Sequence, residues 1–297
     1  MKHPSPLSLG LLALACLTLS CATAQDDAQR YLGQTPPGTT PQVFAPGLIS
    51  LETEYEFGSV FNRDHTEFYY GVDVGNTTEI RFSQYVEGAW TAPVTILSHE
   101  VYGYNDPFLS PDENRLYFIS QRPLDGLGEP KDYDIWYVER QGEGWSEPIN
   151  PGAPINTEYD EYYISFTQAG DLYFGSNRQG GHFDIYAATW AGGTFTTAER
   201  LSEAINSPHY EADVFVDPAE RYLIFCAGRP EGRGRGDLYI SFRQADGTWT
   251  EARNMGDAIN TPGHELCPFV TADGKYFFYS SRQDLYWVST EVLEALR

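Results

Sequence analysis

The residues best suited to chemistry recur as pairs of an aromatic or imidazole ring with a nearby acid. Clustered carboxylates bind cations or sugar hydroxyls, and tyrosine adds flat amphipathic surface at a small entropic cost. Two such carboxylates could also act as the general acid and base of a glycosidase. The five pairs are Tyr55 with Glu56, Tyr104 with Asp106, Tyr159 with Glu161, Tyr210 with Glu211 and His264 with Glu265.

A second recurring set consists of an arginine followed along the chain by an aspartate. Within one repeat such residues, for example Arg178 and Asp184, are predicted to form an ion pair or to cap backbone groups between adjacent strands. A purely structural role is also the alternative for the ring–acid pairs, as latches between repeats. The second set comprises Arg122 with Asp134, Arg178 with Asp184, Arg229 with Asp237 and Arg282 with Asp284.

Both sets belong to a repeat of about 50 residues, a period typical of propellers and other repeat folds. The run Phe118-Ile-Ser-Gln-Arg122 returns at Phe174, Phe225 and Phe278. Each unit contains four short runs of β-branched and aromatic residues, divided by Pro, Asp and Gly turns. Four antiparallel strands in such a unit predict an all-β fold, a β-propeller built of blades. The innermost strands are expected to begin near Tyr55, Tyr104, Tyr159, Tyr210 and His264, which predicts five blades.

The last repeat runs through Trp287 and lacks an outer strand. Phe44–Ser50 resembles Ile149–Ile155, which lies at the outer-strand position of an earlier repeat. We therefore predict that an N-terminal strand closes the ring, which leaves no open edge between the first and last blades. The propeller domain is expected to span residues 44–297.

In a propeller, the connection into each innermost strand and the loop between the second and third strands lie on one face. The five ring–acid pairs are therefore predicted to surround one mouth of the central channel as an acidic, aromatic funnel. This funnel is the candidate ligand-binding site.

The repeats resemble a known family. Ser110-Pro-Asp-Glu-Asn-Arg-Leu-Tyr-Phe-Ile-Ser-Gln-Arg122 with Asp134-Ile-Trp, and Ser176 to Tyr186, resemble the WD40-like (PD40) repeat of TolB-type bacterial propellers. The resemblance covers about residues 44–290 and is weakest in the first repeat, where Gly71-Val-Asp replaces the Ser-x-Arg pattern. It implies a periplasmic or surface propeller that often serves as a scaffold.

The first 24 residues have the charged start, apolar run and small-residue end of a signal peptide. Thr18-Leu-Ser-Cys21 also resembles a lipoprotein box, with Cys21 as the lipidation candidate. The chain is thus predicted to be exported, either periplasmic or anchored to the outer membrane. It has no predicted transmembrane segment, and residues 25–43 are predicted to be a flexible lead or tether.

The formal charge is −23, which argues against nucleic acid or an anionic membrane surface as partner. It favours cations, basic proteins or neutral sugars. The six histidines show no ligand spacing, so no metal or cofactor is expected, a cation such as Ca²⁺ at the funnel being the alternative. Cys226 and Cys267 are predicted to be buried free thiols, although export would permit a disulfide.

The leading functional prediction is a non-catalytic, monomeric propeller that binds a protein or glycan through the funnel. The alternative is a carbohydrate-active enzyme, a glycosidase or lyase, that uses two funnel carboxylates.

Overall fold

Strands in this chain coincide with its runs of aromatic and β-branched residues, and turns coincide with the Asp, Asn, Gly and Pro clusters. The computed structural model describes residues 29–297. The predicted signal peptide and Cys21 lie outside the described residues.

The first strand, β1 (Gln42–Val43), precedes the first blade and pairs with the last. Blade 1 contains β2 (Tyr55–Phe61), β3 (Glu67–Asp73), β4 (Thr78–Val86), a short β5 (Ala89–Trp90) and β6 (Val94–Leu97). Blade 2 contains β7 (Asn105–Leu109), β8 (Arg115–Ser120), β9 (Asp134–Gln141) and β10 (Gly144–Trp145).

Blade 3 contains β11 (Glu161–Phe166), β12 (Leu172–Ser176), β13 (Asp184–Ala188) and β16 (Glu199–Arg200), with a separate hairpin of β14 (Trp190–Ala191) and β15 (Thr194–Phe195). Blade 4 contains β17 (Glu211–Val216), β18 (Tyr222–Ala227), β19 (Asp237–Phe242) and β20 (Arg253–Asn254). Blade 5 contains β21 (Leu266–Val270), β22 (Tyr276–Ser281) and β23 (Asp284–Ser289), and a short helix α1 (Glu291–Glu294) follows. All pairing is antiparallel within the blades, and the innermost strands contact one another around a ring, so the predicted five-bladed propeller is confirmed.

An N-terminal strand closes the ring, as predicted, although it lies earlier in the chain than expected. Gln42 and Val43 pair with Trp287 and Tyr286, and the Phe44 N–H donates to the Leu285 carbonyl at 2.7 Å. Beyond Phe44, the segment predicted as a strand at residues 44–50 does not continue this pairing. The backbone adopts positive φ angles at Ala45 and Gly47, which turn the chain away from the blade edge.

The described part of the predicted flexible lead is packed against the propeller. Tyr31 is 0 % exposed, and its ring contacts Phe61 of blade 1 and Trp287 of blade 5. Its hydroxyl donates to the Asp273 carboxylate at 3.1 Å. The prediction of a flexible tether is therefore wrong for residues 29–43. The aromatic side chain of Tyr31 is buried between blades 1 and 5, where the ring closes.

Each innermost strand contains a β-bulge. In every bulge one residue has a positive φ angle, in the left-handed region. Each bulge shifts the register against the second strand of the blade and so re-aims one side chain. Because innermost strands line the propeller axis, the bulges form one layer around it, which we call the axial layer. Its members are Gly58, Asp106, Tyr163, Asp213 and Cys267, with φ angles of 47°, 51°, 46°, 49° and 53°.

Phenylalanines pack around the axis two residues beyond the axial layer, at Phe108, Phe215 and Phe269. The Phe108 and Phe269 rings are 6.1 Å apart, and the Phe215 and Phe269 rings 6.0 Å. The axis is thus closed by an aromatic plug next to the polar axial layer. Across residues 29–297, no helix has the length and apolarity needed to span a bilayer.

Candidate functional site

The acids predicted to line the funnel are buried. Glu56, Glu161, Glu211 and Glu265 are each 0 % exposed. In three blades the glutamate accepts both a hydroxyl and a backbone N–H from the residue four positions earlier: Thr157, Ser207 or Thr261. The predicted acidic funnel is therefore wrong for these residues, because each glutamate fixes the connection that enters its own blade.

The predicted rings are not equivalent to one another. Asn105 pairs with Ile119 as Tyr162 pairs with Gly175, so Tyr104 occupies the position that glutamate holds in the other blades. Asp106 lies two residues further on, in the axial layer. The prediction that Asp106 is the counterpart of the glutamates is thus wrong by two residues.

The remaining predicted rings divide between the surface and the axis. Tyr159 is 40 % exposed on the connection before blade 3. Burial, and then the charges of Cys267 and Asp106, raises the pKa of Tyr55 to about 12, and burial raises that of Tyr210 further. Burial lowers the pKa of His264, whose Nε2 lies 3.4 Å from Cys226 Sγ. Tyr55 and Tyr210 thus lie beside the axial layer, whereas Tyr159 does not.

Two of the four repeated arginines, Arg178 and Arg229, bind the repeated glutamates rather than the aspartates. Arg178 Nη2 donates to Glu161 at 3.0 Å and to the Ile155 carbonyl at 2.6 Å. Arg229 makes the same two contacts, to Glu211 at 3.0 Å and to the Ile205 carbonyl at 2.7 Å. Each arginine therefore ties the entering connection to its blade.

The predicted Arg–Asp pairs are consequently wrong: three of the aspartates have other partners, and in blade 5 the arginine is exposed. Asp184 binds Arg200 through two hydrogen bonds of 2.8 Å. Lys131 Nζ lies 2.6 Å from Asp134, and Asn254 donates to Asp237. In blade 5, Arg282 is exposed in the tight turn that precedes Asp284.

Blades 1 and 2 each hold half of the Glu–Arg pair. Glu56 has no arginine, one of its carboxylate oxygens has no partner in the described structure, and burial raises its pKa to about 7. In blade 2 the arginine is present as Arg122, but Tyr104 replaces the glutamate. The Nε of Arg122 is buried without a hydrogen-bond partner among the described residues.

The axial layer contains two buried acids, Asp106 and Asp213, whose pKa values are raised. Cys267 Sγ donates to Asp106 Oδ1 at 3.3 Å, and the Cys267 N–H donates to Asp213 at 3.3 Å. Burial, and then the charge of Asp213, raises the pKa of Asp106 to about 8, and burial raises that of Asp213 to about 6. Gly58 makes room for this arrangement, since a Cβ there would lie 2.5 Å from Asp106 Oδ1.

Raised pKa values in two neighbouring acids are a feature of some catalytic sites, but this pair is enclosed. Asp106 is 2 % and Asp213 5 % exposed, and neither lines the clefts described below. Sequence reasoning missed Asp213 and Cys267, because their shared feature is a backbone conformation and not a residue type. Both cysteines are buried and free, as predicted.

An open groove lies between blades 2 and 3, on the face opposite the predicted funnel. Its volume is about 520 Å³. The rings of Tyr117 and Phe166 are 4.9 Å apart on one side, and those of Trp190 and Phe195 are 4.8 Å apart on the other. Trp190 is 38 % exposed. We call this feature the aromatic groove.

Polar side chains complete the aromatic groove. Asn114, Arg115 and Gln168 line it. Its two carboxylates are occupied: Glu139 accepts from Arg115 at 3.0 Å, and the Ser110 hydroxyl lowers the pKa of Asp112. Because Tyr117 and Phe166 are buried, the groove offers the exposed Trp190 ring, the half-buried Phe195 ring and hydrogen-bonding groups.

Among residues 29–297, one trio could approach a single metal ion. Ligand atoms of His182, Asp184 and Glu211 lie within 4.8 Å of one another. Arg200 already binds Asp184 and Arg229 already binds Glu211. The carboxylates are thus neutralised by arginines, and the trio is better explained by these ion pairs.

Five antiparallel blades closed by an N-terminal strand define this chain as a five-bladed β-propeller. Its fold is similar to that of TolB from Acinetobacter baumannii, with a TM-score of 0.53 at 15% identity over 80% of this chain and 55% of that one. It is also similar to a protein of unknown function from Dyadobacter fermentans, with a TM-score of 0.52 at 14% identity over 85% and 83% of the two chains. The TolB-like propeller fold expected from the repeats is confirmed. This chain spans about half the length of the TolB chain.

No protein-family model matches the sequence. No curated protein matches it either.

Proposed function

We propose that this chain is an exported, non-catalytic propeller that binds a glycan through the aromatic groove. The observation that carries the proposal is the exposed Trp190 ring, which lines an open groove beside the half-buried Phe195 ring. Aromatic faces stack on the apolar faces of sugar rings, and amide and guanidinium groups bind sugar hydroxyls.

Charge favours a neutral glycan over an acidic one. The chain carries a formal charge of −23, so a polyanionic ligand would be repelled on approach. The alternative of a carbohydrate-active enzyme lacks support at this site, since a glycosidase needs a carboxylic acid that can donate a proton. Asp112 accepts a hydrogen bond from Ser110 and Glu139 accepts from Arg115, so both groove acids already have protein partners.

The proposal is tested by titrating short neutral oligosaccharides into the purified protein by calorimetry. We expect Trp190→Ala to weaken binding at least about tenfold, equivalent to ~1.4 kcal/mol. Leu127→Ala is the matched control, because Leu127 is also a large exposed apolar residue but lies on the opposite face. Equal binding by the wild type and Trp190→Ala would refute the proposed site.

A protein ligand is the competing outcome. If no oligosaccharide binds but Trp190→Ala abolishes capture of a specific protein, the groove is a protein-binding surface and the glycan proposal is wrong. If neither ligand depends on Trp190, the groove is not the binding site.

A further inference from the structure

The side of the propeller between blades 1 and 2 contains a cleft of about 910 Å³, which we call the side cleft. Arg122, Tyr104 and His99 line the end near the predicted funnel, and Arg140 and Trp145 line the rest. This volume is in the range of sites for small molecules. The side cleft is separate from the aromatic groove, although Arg140 borders both.

Arg122 differs from its counterparts in what its guanidinium binds. The Nε of Arg229 donates to Glu211 at 3.0 Å, and Arg178 donates to Glu161 and Ser176. The Nε of Arg122 has no partner among the described residues although it is buried. The rest of the guanidinium also has no hydrogen bond or ion pair among the described residues, and Arg122 lines the side cleft, so the cleft favours an anionic acceptor there.

The replacement of glutamate by Tyr104 also leaves Arg122 with weaker ring contacts than its counterpart Arg178. In blade 3 the Arg178 guanidinium stacks on Phe174 at 5.0 Å and on Tyr186 at 4.9 Å. In blade 2 the Tyr104 ring takes the equivalent place against Phe118, with centroids 5.2 Å apart. Arg122 keeps only a contact of 5.9 Å to Trp136.

The acids of the side cleft restrict the charge of an anionic ligand. Glu67 is already paired with Arg140 at 2.8 Å. Glu143 and Glu147 lie at the opposite end of the blade 2 strands from Arg122. One negative charge near Arg122 is therefore favoured, whereas a polyanion would meet these glutamates.

We propose that the side cleft binds a small monocarboxylate and that Arg122 receives its carboxylate. The ligand then supplies to blade 2 the acceptor that Glu161 and Glu211 supply within blades 3 and 4. A planar carboxylate suits the fork of donors on a guanidinium. A sugar acid and the C-terminal end of a peptide share this chemistry.

Glucuronate, N-acetylalanine and neutral glucose are each titrated into the purified protein, and binding is measured by calorimetry. Ligand concentrations reach about 10 mM, where weak sites are still measurable. We expect at least one carboxylate to bind and glucose to bind at least about tenfold more weakly. Glucuronate alone indicates a sugar acid, and N-acetylalanine alone indicates a peptide end. Failure of both carboxylates to bind would overturn the proposal.

Two variants locate the site. Arg122→Gln should weaken carboxylate binding at least about tenfold, whereas Arg253→Gln, an exposed arginine on β20, should leave it unchanged. Tyr104→Glu restores an internal carboxylate and should also abolish binding. If Tyr104→Glu does not fold, Arg122→Gln still decides, and carboxylate binding that survives in folded Arg122→Gln overturns the assignment.

Discussion

Arg178 donates to the buried carboxylate of Glu161 at 3.0 Å and, through the same nitrogen, to the Ile155 carbonyl. Glu161 also accepts from Thr157 and Ser176. This one contact therefore joins the second strand of blade 3, its first strand and the connection that arrives from blade 2. The same arrangement recurs at Glu211 and Arg229.

We predict that Arg178→Ala destabilises the fold by about 3 kcal/mol, because it leaves a buried carboxylate without its cation. Glu161→Gln should cost about 1–3 kcal/mol, and the double variant should lose clearly less than the sum, as contacting residues do. Urea unfolding of the four proteins measures this coupling. Arg178→Ala combined with Asp184→Asn is the control, since Asp184 binds Arg200 and the two effects should add. Additive losses for Arg178 and Glu161 would contradict the contact.

We predict that Tyr31→Ala lowers the free energy of unfolding by about 3–5 kcal/mol, the range for removing a large buried aromatic side chain. The reason is that Tyr31 packs between Phe61 and Trp287, across the seam where the ring closes. Tyr159→Ala, which removes an exposed tyrosine, is the control and should change stability little. Equal melting temperatures for the wild type and Tyr31→Ala would show that the N-terminal segment does not support closure.

We predict that stability falls as the pH rises from about 5 to 9, partly because of the axial layer. The pKa values of Asp106 and Asp213 are raised to about 8 and about 6 in the folded protein, so folding favours their protonated forms. Their contribution is fully present below the unfolded pKa of about 4 and is lost as the pH passes through 6 and then 8.

Asp213→Asn tests this origin, because the amide keeps an acceptor for the Cys267 N–H and removes one buried charge. Relative to the wild type, this variant should gain at least about 1 kcal/mol between pH 5 and pH 9, measured by urea unfolding at each pH. Asp257→Asn, at an exposed aspartate, should follow the wild-type curve. Parallel curves for Asp213→Asn and the wild type would assign the pH dependence to other groups.

The fold could be predicted from the sequence because its repeats carry strand and turn chemistry at regular spacing. The closure was also predictable, since a blade that ends at Trp287 needs one more strand. Its position was misjudged because the positive φ at Ala45, which ends the pairing, is unusual for alanine and has no sequence signal.

The candidate site was less predictable, for reasons that particular residues make clear. An acid beside a tyrosine has the same sequence pattern whether it is exposed to solvent or buried. Glu211 is buried and accepts from the hydroxyl of Ser207, four residues earlier. Asp106 and Asp213 share a layer only because a bulge shifts both strands. The exposure of Trp190 depends on a hairpin that the repeat pattern does not specify.

The closing seam also has a consequence for the order of folding. Tyr31 bonds Asp273, which is 242 residues away along the chain, and β1 has no partner until β23 exists. Contacts of such long range are slow to form, and these can form only after the last blade has been made. The Tyr31 ring therefore stays unburied, and β1 unpaired, until blade 5 has formed, so docking of residues 31–43 is a late step in folding. A chain that ends before residue 284 would lack β23 and could not form this seam.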